Sequence, residues 1–261
     1  MCAIAGIVGT KINLIKKMSS CMRHRGPDDE KIKIDYKNQV ALSMLRLSIL
    51  DLKSKGLCLY EEDEFILSYN GEIYNYKELK SQLISKGFKF KTSCDTELFL
   101  KSFIYWGEKC FEKFNGMFSA AIYDQKRNKI YLARDIAGEK PLYFYKKNKS
   151  FAFASEAKAF YKNFDLTKNL KRNFFDSFQH CLSETLWKEV FSLPPASYLC
   201  LNVKNLEYKI KKYWIFKQRK INLKTAEEEL EYLIKDSVKL RTRSDVPYGL
   251  YFSGGVDSSL I

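Results

Sequence analysis

Met-Cys-Ala-Ile-Ala-Gly-Ile-Val, residues 1–8, is a run of small and branched apolar side chains that follows directly on the first residue. Such a run predicts a short buried strand over residues 2–8, with Cys2 held at its end. Apolar side chains then recur at helical spacing and predict a helix against this strand. These side chains are Ile12, Ile15, Met18 and Met22. The N-terminal region therefore places a thiol on a rigid element.

Cys2 is a candidate nucleophile. A small residue after the initiator Met normally allows removal of that Met, which would give Cys2 a thiol and a free α-amino group. An α-amino group with a pKa of about 7.7 to 8.0 can accept a proton near neutral pH, and a thiol is a strong nucleophile. A buried structural cysteine is the alternative interpretation, and the rest of the chain decides between them.

The segment Asn-Gly-Glu-Ile-Tyr-Asn-Tyr, residues 70–76, follows a predicted strand and precedes a predicted helix. One interpretation is a tight turn, because Asn-Gly tolerates positive φ, with Asn75 capping the helix. The functional interpretation is an oxyanion hole, in which the Asn70 amide and the Gly71 N–H donate to one point. Each preorganised donor of this kind contributes roughly 3 to 4 kcal/mol to an acyl-transfer reaction.

Two charged residues indicate an amino-acid pocket. Arg46, in Arg-Leu-Ser-Ile-Leu-Asp, can bind a carboxylate through two parallel hydrogen bonds. Asp95, in Ser-Cys-Asp-Thr-Glu, can accept hydrogen bonds from an ammonium group. A surface ion pair and a helix cap are the alternative interpretations of these residues.

The remaining periodicity predicts sheets covered by helices. Strands are predicted near 39–46, 64–69, 117–123, 128–133, 142–146, 151–154 and 196–203, and helices near 75–86, 95–106 and 171–181. From Thr225 a capped helical pattern begins, and a strand over Tyr248–Phe252 then leads into a glycine-rich turn. Such a turn is typical of the first βα unit of a parallel nucleotide-binding sheet, so a second domain is expected to start here and to be incomplete.

Composition describes a globular protein of one or two domains, with 261 residues, 46% hydrophobic and 15% aromatic. The net charge of +14 comes from 36 Lys and 9 Arg, and the lysines are scattered between acids along the chain. A solvated surface is therefore favoured over nucleic-acid binding. Residues 204–224 hold eight cations, one acid and interleaved aromatics, which suits a single-strand stacking groove or, as we prefer, a half-exposed strand followed by a linker.

Cysteine and histidine content argues against a disulfide framework and a metal site. The seven cysteines include no Cys-x-x-Cys pair, and the chain has two histidines. No apolar run approaches the roughly 18 residues that span a bilayer, and the N-terminus lacks the pattern of a signal peptide. We therefore expect a cytoplasmic protein that binds no metal, membrane or nucleic acid.

Several ordered motifs together resemble the glutamine-hydrolysing asparagine synthetase family. They are Met1-Cys2, Arg25 to Asp28, Arg46 to Asp51, Asn70 to Tyr76, Asp95 with Glu97, Gly116 to Phe118, Ala133 to Asp135, Lys140 to Tyr143 and Ser253 to Ser259. The resemblance covers nearly the whole chain. It implies a class II glutaminase of the N-terminal-nucleophile type over residues 1–203, a linker over 204–224, and the start of an ATP-pyrophosphatase-type synthetase domain over 225–261.

The fold implied by this resemblance is α+β, a four-layer αββα sandwich followed by the first βα unit of a truncated α/β domain. The implied activity is hydrolysis of glutamine to glutamate and ammonia for ATP-dependent amidation of aspartate to asparagine. Cys2 would attack the glutamine amide while Asn70 and Gly71 hold the oxyanion. Glutamine would be bound by Arg46, Leu50, Asn70, Gly71, Glu72 and Asp95.

The resemblance also implies that ATP binds the glycine-rich loop, with Mg²⁺ in the full-length family and with no cofactor for the glutaminase half. The implied ATP-binding residues are Phe252, Ser253, Gly254, Gly255, Asp257 and Ser258. Partners are then glutamine, aspartate and ATP, and a homodimer stays open. Two alternatives also stay open: amidation of another acceptor, such as a polysaccharide sugar or carboxylate, and a truncated regulatory or nonproductive fragment.

Three positions depart from the family pattern. Ala3 replaces the glycine after the nucleophile and adds a methyl group beside it. Leu57-Cys58 replaces Gln-Pro in the loop before the third strand, where different packing is expected. Ile136-Ala137-Gly138-Glu139 replaces the Arg-x-x-Gly pattern that follows Asp135. None of the three removes a proposed catalytic group.

Overall fold

The computed structural model of the chain describes residues 1–52, 57–161, 163–169, 183–218, 220 and 222–261. In these ranges twelve strands form two six-stranded sheets, and every paired neighbour is antiparallel. The strands are β1 (Ala3–Gly9), β2 (Asp29–Asp35), β3 (Val40–Arg46), β4 (Tyr60–Glu62), β5 (Phe65–Ile73), β6 (Gly116–Asp124), β7 (Lys129–Arg134), β8 (Tyr143–Lys147), β9 (Ser150–Ala154), β10 (Val190–Ser192), β11 (Ser197–Asn202) and β12 (Tyr208–Lys212). The first sheet has the order β10-β8-β9-β1-β3-β2, and the second has the order β12-β11-β7-β6-β5-β4.

Helices cover the outer face of each sheet. Residues of α1 (Ile15–Ser20) and α4 (Lys158–Tyr161) pack on the first sheet around Ile7 and Ala152. Residues of α2 (Tyr76–Ser85) and α3 (Asp95–Trp106) pack on the second sheet around Leu67 and Ile122. A third apolar cluster fills the space between the sheets. The order of layers is therefore αββα, which confirms the predicted sandwich. The helices are α1 (Ile15–Ser20), α2 (Tyr76–Ser85), α3 (Asp95–Trp106), α4 (Lys158–Tyr161), α5 (Leu223–Arg241) and α6 (Val256–Leu260), with 3₁₀ turns at Ile12–Leu14, Arg23–Arg25 and Gly107–Lys113.

Strand periodicity decides which side chains enter the space between the sheets. In β1, Ile4 and Val8 belong to the central cluster, so Cys2 lies on the same side, one repeat before Ile4. In β5, Ile66 belongs to that cluster, which places Asn70 and Glu72 on the inner side as well. The two sheets thus direct candidate site residues toward each other.

The strands predicted within residues 2–203 and the helices near 75–86 and 95–106 are confirmed, with small shifts of their ends. The four residues predicted on the first helical face, Ile12, Ile15, Met18 and Met22, are all buried. Strands β2, β4 and β10 were not predicted, because β2 is rich in charge and the other two are only three residues long. The helix predicted near 171–181 lies outside the described residues.

Part of the segment predicted as a linker belongs to the second sheet. Within residues 204–224, β12 pairs with β11 as the half-exposed strand expected there. Tyr208 packs against the rings of Phe144 and Phe151, and Tyr213 packs against Phe111. Two of the four interleaved aromatics therefore pack against the protein itself instead of lining a stacking groove.

The C-terminal region differs from the prediction in two details. Helix α5 begins at Leu223 because Asn222 caps it, with Asn222 Oδ1 accepting from the Thr225 N–H at 2.9 Å, so the predicted start at Thr225 was late. The strand predicted over Tyr248–Phe252 was wrong, since these residues pair with no strand of the described chain and Tyr251 is fully exposed. A β-strand needs a neighbour for its backbone groups, and apolar sequence alone does not supply one. Among the helices of the described residues, none has the length and apolar character required to cross a bilayer.

Candidate active site

One cleft between the two sheets gathers every residue predicted to bind or cleave glutamine. The predicted residues that line it are Cys2, Arg46, Leu50, Asn70, Gly71, Glu72 and Asp95. They come from the residue before β1, the end of β3 and the loop after it, the end of β5 and the start of α3, and they lie up to 93 positions apart in the chain. The resemblance and the geometry therefore identify the same place.

The Cys2 thiol lies against the backbone of Leu47, just after β3. The Leu47 N–H donates to Cys2 Sγ at 3.4 Å, and Cys2 Sγ is 3.6 Å from the Leu47 carbonyl. Arg25 Nε donates to the Cys2 carbonyl at 3.1 Å, and Arg25 Nη1 in turn bonds Glu156 at 3.0 Å. Both the thiol and the backbone of Cys2 are thus held by neighbouring groups.

Burial dominates the electrostatics of the N-terminus. It raises the pKa of the Cys2 thiol, and the Leu47 N–H, the terminal amino group and Arg46 oppose this rise. Burial also lowers the pKa of the α-amino group, which in this structure belongs to Met1. A larger fraction of the Met1 amino group is therefore unprotonated near neutral pH, and this form can accept a proton.

Asn70-Gly71 is not a turn, because β5 continues through it to Ile73 and pairs with β6. Phe118 lies opposite Gly71, and its N–H donates to the Asp135 carboxylate while its carbonyl accepts from the Asp135 N–H. Because the backbone groups of Phe118 point away from β5, Gly71 directs its own N–H away from β6. That side of β5 is open, since β4 has ended at the residue opposite Leu67. The Gly71 N–H is thus available at the cleft.

The Asn70 side chain lies beside this N–H on the inner face of the sheet. Its amide nitrogen donates to Ser119 Oγ at 3.5 Å, a long contact that a better acceptor can replace. Asn75, the predicted cap, directly precedes α2, but its side chain bonds Lys113 and Asn115 instead. Asn75 therefore anchors the loop before β6 and does not cap the helix.

Arg46 is oriented by the loop that follows it. Its Nη2 donates to the carbonyls of Leu50 and Asp51, both at 3.0 Å. The sequence predicted that Arg46 binds a carboxylate, and the remaining N–H groups of the guanidinium are the ones that can do so. The loop thus fixes one edge of the guanidinium within the cleft.

Asp95 is fully buried at the start of α3. Its Oδ2 accepts from Tyr69 Oη at 2.7 Å and from the Ile73 N–H at 2.8 Å. The Cys94 thiol donates to Oδ1 at 3.4 Å. Burial raises the pKa of Asp95, while these hydrogen bonds favour its ionised form. The hydrogen bonds therefore hold the carboxyl group in place and offset part of the cost of burying its charge.

Glu72 and Lys140 bring two more charges into the cleft. Burial, reinforced by the negative charge of Asp95, raises the pKa of Glu72 to about 7, and Lys140 opposes this rise. Burial likewise lowers the pKa of Lys140, against the effect of Glu72. The sequence analysis quoted Lys140 within a motif but assigned it no role in the site, because nothing local distinguishes it from 35 other lysines.

Asp135 explains how Lys140 reaches the cleft. Its buried carboxylate accepts from the backbone N–H groups of Phe118, Glu139 and Lys140, at 2.8 to 3.1 Å. Arg134 Nε then donates to the Lys140 carbonyl at 2.8 Å. The motif Arg134-Asp135 thus ties the loop that carries Lys140 to β6.

The three departures from the family pattern are accommodated without opening the site. Ala3 is buried in β1 opposite Leu45, and Leu57 and Cys58 are both buried, with the Cys58 thiol donating to the Met44 carbonyl at 3.1 Å. Gly138 adopts φ +72°, which a glycine tolerates, and its carbonyl accepts from Arg134 Nη2 at 2.7 Å. The loop after Asp135 is therefore closed by Arg134.

The glycine-rich loop lies apart from the cleft and is exposed. Gly254 has φ +77° with open space around it, and the chain then enters α6. Ser253 Oγ and Ser258 Oγ lie 2.9 Å apart, and Ser258 Oγ donates to the Gly255 carbonyl at 3.1 Å. This backbone conformation suits a phosphate. The described residues do not enclose a site for the adenine base, since Phe252, which was predicted to bind ATP, is 66% exposed. Within the described residues, no three His, Cys, Asp or Glu side chains are placed to hold a metal ion together.

Sequence comparison agrees with this geometry. A profile of the glutamine amidotransferase domain matches residues 1–214, and a profile of asparagine synthase matches residues 229–261. The chain belongs to the glutamine amidotransferase domain family. The range that matches this family contains all twelve strands of the two sheets.

Longer curated relatives carry the name asparagine synthetase [glutamine-hydrolyzing]. Asparagine synthetase 3 of Bacillus subtilis is 32% identical over 100% of this chain and 44% of its own length, and asparagine synthetase 1 of the same organism is 35% identical over 95% and 40%. Asparagine synthetase B of Escherichia coli is 29% identical over 100% and 44%. The chain spans about half the length of the curated relatives it matches.

Solved structures support the fold. A glutamine phosphoribosylpyrophosphate amidotransferase from B. subtilis superposes with a TM-score of 0.59 at 17% identity, covering 84% of this chain and 50% of that one. An allosteric regulatory enzyme of purine biosynthesis superposes with a TM-score of 0.60 at 16% identity and the same coverage. At these identities the likeness shows the fold alone.

Proposed function

We propose that this chain hydrolyses glutamine to glutamate and ammonia with Cys2 as the nucleophile, and that it supplies ammonia to an ATP-dependent synthetase. The observation that carries the proposal is the meeting of the Cys2 thiol, two potential oxyanion donors and four charged side chains, two of them buried, in one cleft. The family membership and the names of the longer relatives support it.

The proposed reaction has two steps. Cys2 Sγ bonds to the side-chain amide carbon of glutamine, and the carbonyl oxygen takes up the negative charge beside the Asn70 amide and the Gly71 N–H. The C–N bond then breaks as the nitrogen takes a proton, which releases ammonia and leaves a thioester. Water attacks the thioester, giving glutamate and regenerating the thiol. Removal of Met1 would let the α-amino group of Cys2 carry the proton between these steps.

The substrate's charged end has matching groups in the cleft. Arg46 would bind the α-carboxylate through the guanidinium N–H groups that the Leu50 and Asp51 carbonyls do not occupy. Asp95 and Glu72 would accept from the α-ammonium group. The Leu50 backbone lies on the same loop and completes the binding site.

For the longer protein, we propose aspartate as the acceptor of the ammonia and ATP as its activator. The support is the asparagine synthase match over residues 229–261 and the glycine turn before α6. When bound, ATP would activate a carboxylate, and Ser253, Gly254, Gly255, Asp257 and Ser258 would hold its phosphates near Phe252. Mg²⁺, a homodimer and a cytoplasmic location stay predictions from the sequence.

The test is glutamine hydrolysis by the purified chain, with ammonia and glutamate measured together and the N-terminus examined by mass spectrometry. We expect equal amounts of both products and a loss of about a thousandfold or more in Cys2→Ala. Cys21→Ala is the matched control, because Cys21 is a partly exposed thiol outside the cleft, and it should keep activity within about twofold. Full activity in Cys2→Ala would contradict the proposal.

A further inference from the structure

A short segment that begins at the last residue of α5 touches the backbone on two sides of the glutamine cleft. We call residues 241–246 the docking segment. They lie within the stretch that matches asparagine synthase, whereas the loops they touch belong to the glutamine amidotransferase match. The docking segment therefore joins the two regions of the chain physically.

Asp245 holds the loop that carries Leu50. Its Oδ2 accepts from the Asp51 N–H at 2.7 Å, and its own N–H donates to the Ile49 carbonyl at 3.1 Å. These two bonds bracket Leu50, whose carbonyl accepts from Arg46 Nη2 at 3.0 Å. One residue thus fixes both sides of the peptide that orients the Arg46 guanidinium.

Asp51 has an uncommon backbone conformation, so its hydrogen bond to Asp245 matters for the shape of the loop. Asp51 has φ +53°, in the left-handed region that non-glycine residues seldom adopt, and it is buried. Its Oδ2 accepts from the N–H and the hydroxyl of Ser93, at 3.1 and 3.0 Å. Its carbonyl binds Arg46. Such a backbone conformation persists when surrounding contacts stabilise it, and Asp245 supplies the contact to the Asp51 N–H.

Arg243 holds the opposite side of the cleft. It donates from Nη1 to the Tyr74 carbonyl and from Nη2 to Glu78 at 3.4 Å. Tyr74 follows Glu72 by two residues, and the Arg241 guanidinium lies 4.9 Å from the centre of the Tyr74 ring. The docking segment thus contacts the loop after β3 and the end of β5 at the same time.

We infer that Asp245 is a positioning residue for glutamine: it sets the geometry of the Ile49–Asp51 loop, so the synthase-like region controls the glutamine affinity of the cleft. This inference rests on the proposed glutaminase function. Without the carboxylate, the Asp51 N–H loses its acceptor and the loop relaxes toward ordinary φ. The Leu50 carbonyl then no longer fixes Arg46, which weakens substrate binding and leaves Cys2 unchanged.

The experiment compares three variants of the full chain by steady-state glutamine hydrolysis. Asp245→Ala should raise KM for glutamine about tenfold with kcat within about twofold, since it removes a charge-assisted hydrogen bond from the binding loop. Asp245→Asn keeps an oxygen acceptor and should raise KM by less than about threefold. Asp236→Ala, the same kind of change on α5 outside the docking segment, should leave both constants unchanged.

Amide hydrogen exchange over residues 47–52 gives a second readout that needs no activity. Exchange at the Asp51 N–H should be about tenfold faster in Asp245→Ala than in Asp236→Ala, with thermal unfolding of both near that of the parent chain. An unchanged KM, or a fall in kcat alone, would overturn the inference, as would unchanged exchange. If the parent chain hydrolyses no glutamine, the proposed function fails, while faster exchange in Asp245→Ala still supports the positioning role.

Discussion

Replacement of Asp95 by Asn separates the structural role of this carboxyl group from its proposed role in binding. Both strong hydrogen bonds of Asp95 end on one oxygen, which accepts from Tyr69 Oη and the Ile73 N–H. The Asn amide oxygen can take that place, so the two donors stay paired. What is lost is the negative charge, at almost constant volume.

The structure allows the two effects to be estimated. A neutral acceptor weakens each hydrogen bond by about 1 kcal/mol, and relief of the buried charge offsets this, so the free energy of unfolding should change by less than about 1 kcal/mol. Asp95→Ala leaves both donors buried and unpaired, at a cost of about 2 kcal/mol each. For binding, loss of the carboxylate partner of the glutamine ammonium should cost about 3 kcal/mol, or about a hundredfold in affinity.

Asp95→Asn should also change the pH dependence of glutamine binding. Burial and then the charge of Asp95 raise the pKa of Glu72 to about 7, so Glu72 is charged above this pH and neutral below it. Glutamine affinity should therefore fall as the pH drops through about 7 in the parent protein. Without the charge of Asp95, the pKa of Glu72 falls, and the midpoint of this loss moves to lower pH.

Calorimetric titration with glutamine between pH 5 and 8 measures both effects. A Cys2→Ala background prevents turnover and removes the Cys2 titration, and Glu72→Gln in that background should abolish the midpoint near 7. Thermal unfolding of Asp95→Asn and Asp95→Ala gives the stability difference. A midpoint that stays near 7 in Asp95→Asn, or an affinity equal to that of the parent, would refute the reasoning.

Two further predictions test other contacts of the cleft. Lys140→Met removes the positive charge that opposes the raised pKa of Glu72, so the midpoint of glutamine binding should move above 7, whereas Lys140→Arg should leave it in place; a downward shift would contradict this. Gly71→Ala would place a Cβ 2.2 Å from the Met117 carbonyl oxygen, so the strands must separate and urea unfolding should show a loss of about 3 kcal/mol. Gly249→Ala, with open space around it, is the control and should change stability by less than about 0.5 kcal/mol, so equal losses in the two variants would count against the packing argument.

The sequence predicted those parts of the site that depend only on a residue and its neighbours in the chain. The apolar run after Cys2 defines β1, and its two-residue period places the thiol between the sheets. Chemically distinctive residues such as Asn70, Arg46 and Asp95 were each identified from their own segment, and the structure brings them into one cleft. Strand alternation and residue chemistry suffice where a residue's neighbours in the chain decide its role.

Tertiary contacts decide the rest. Asn70-Gly71 has a strong local preference for a turn, but nine-residue pairing of β5 with β6 overrides it. Residues 248–252 show the reverse case, because their apolar composition favours a strand and no described strand pairs with them. Asp245 lies 194 residues from Asp51, so no local pattern could connect the docking segment with the loop after β3.

Under the proposed function, the charge balance of the cleft favours an amino acid with a neutral side chain. Arg46 and Lys140 bring two positive charges into it, and Glu72 and Asp95 bring two negative ones. Each charge costs free energy when it is buried, and an opposite charge nearby offsets part of that cost. An α-amino acid with a neutral side chain brings one ammonium and one carboxylate, so it adds no net charge to the cleft. A carboxylate on the side chain would add a negative charge that no group of opposite charge compensates. Under the proposed function, glutamine therefore binds and its product glutamate is disfavoured, which promotes release after hydrolysis.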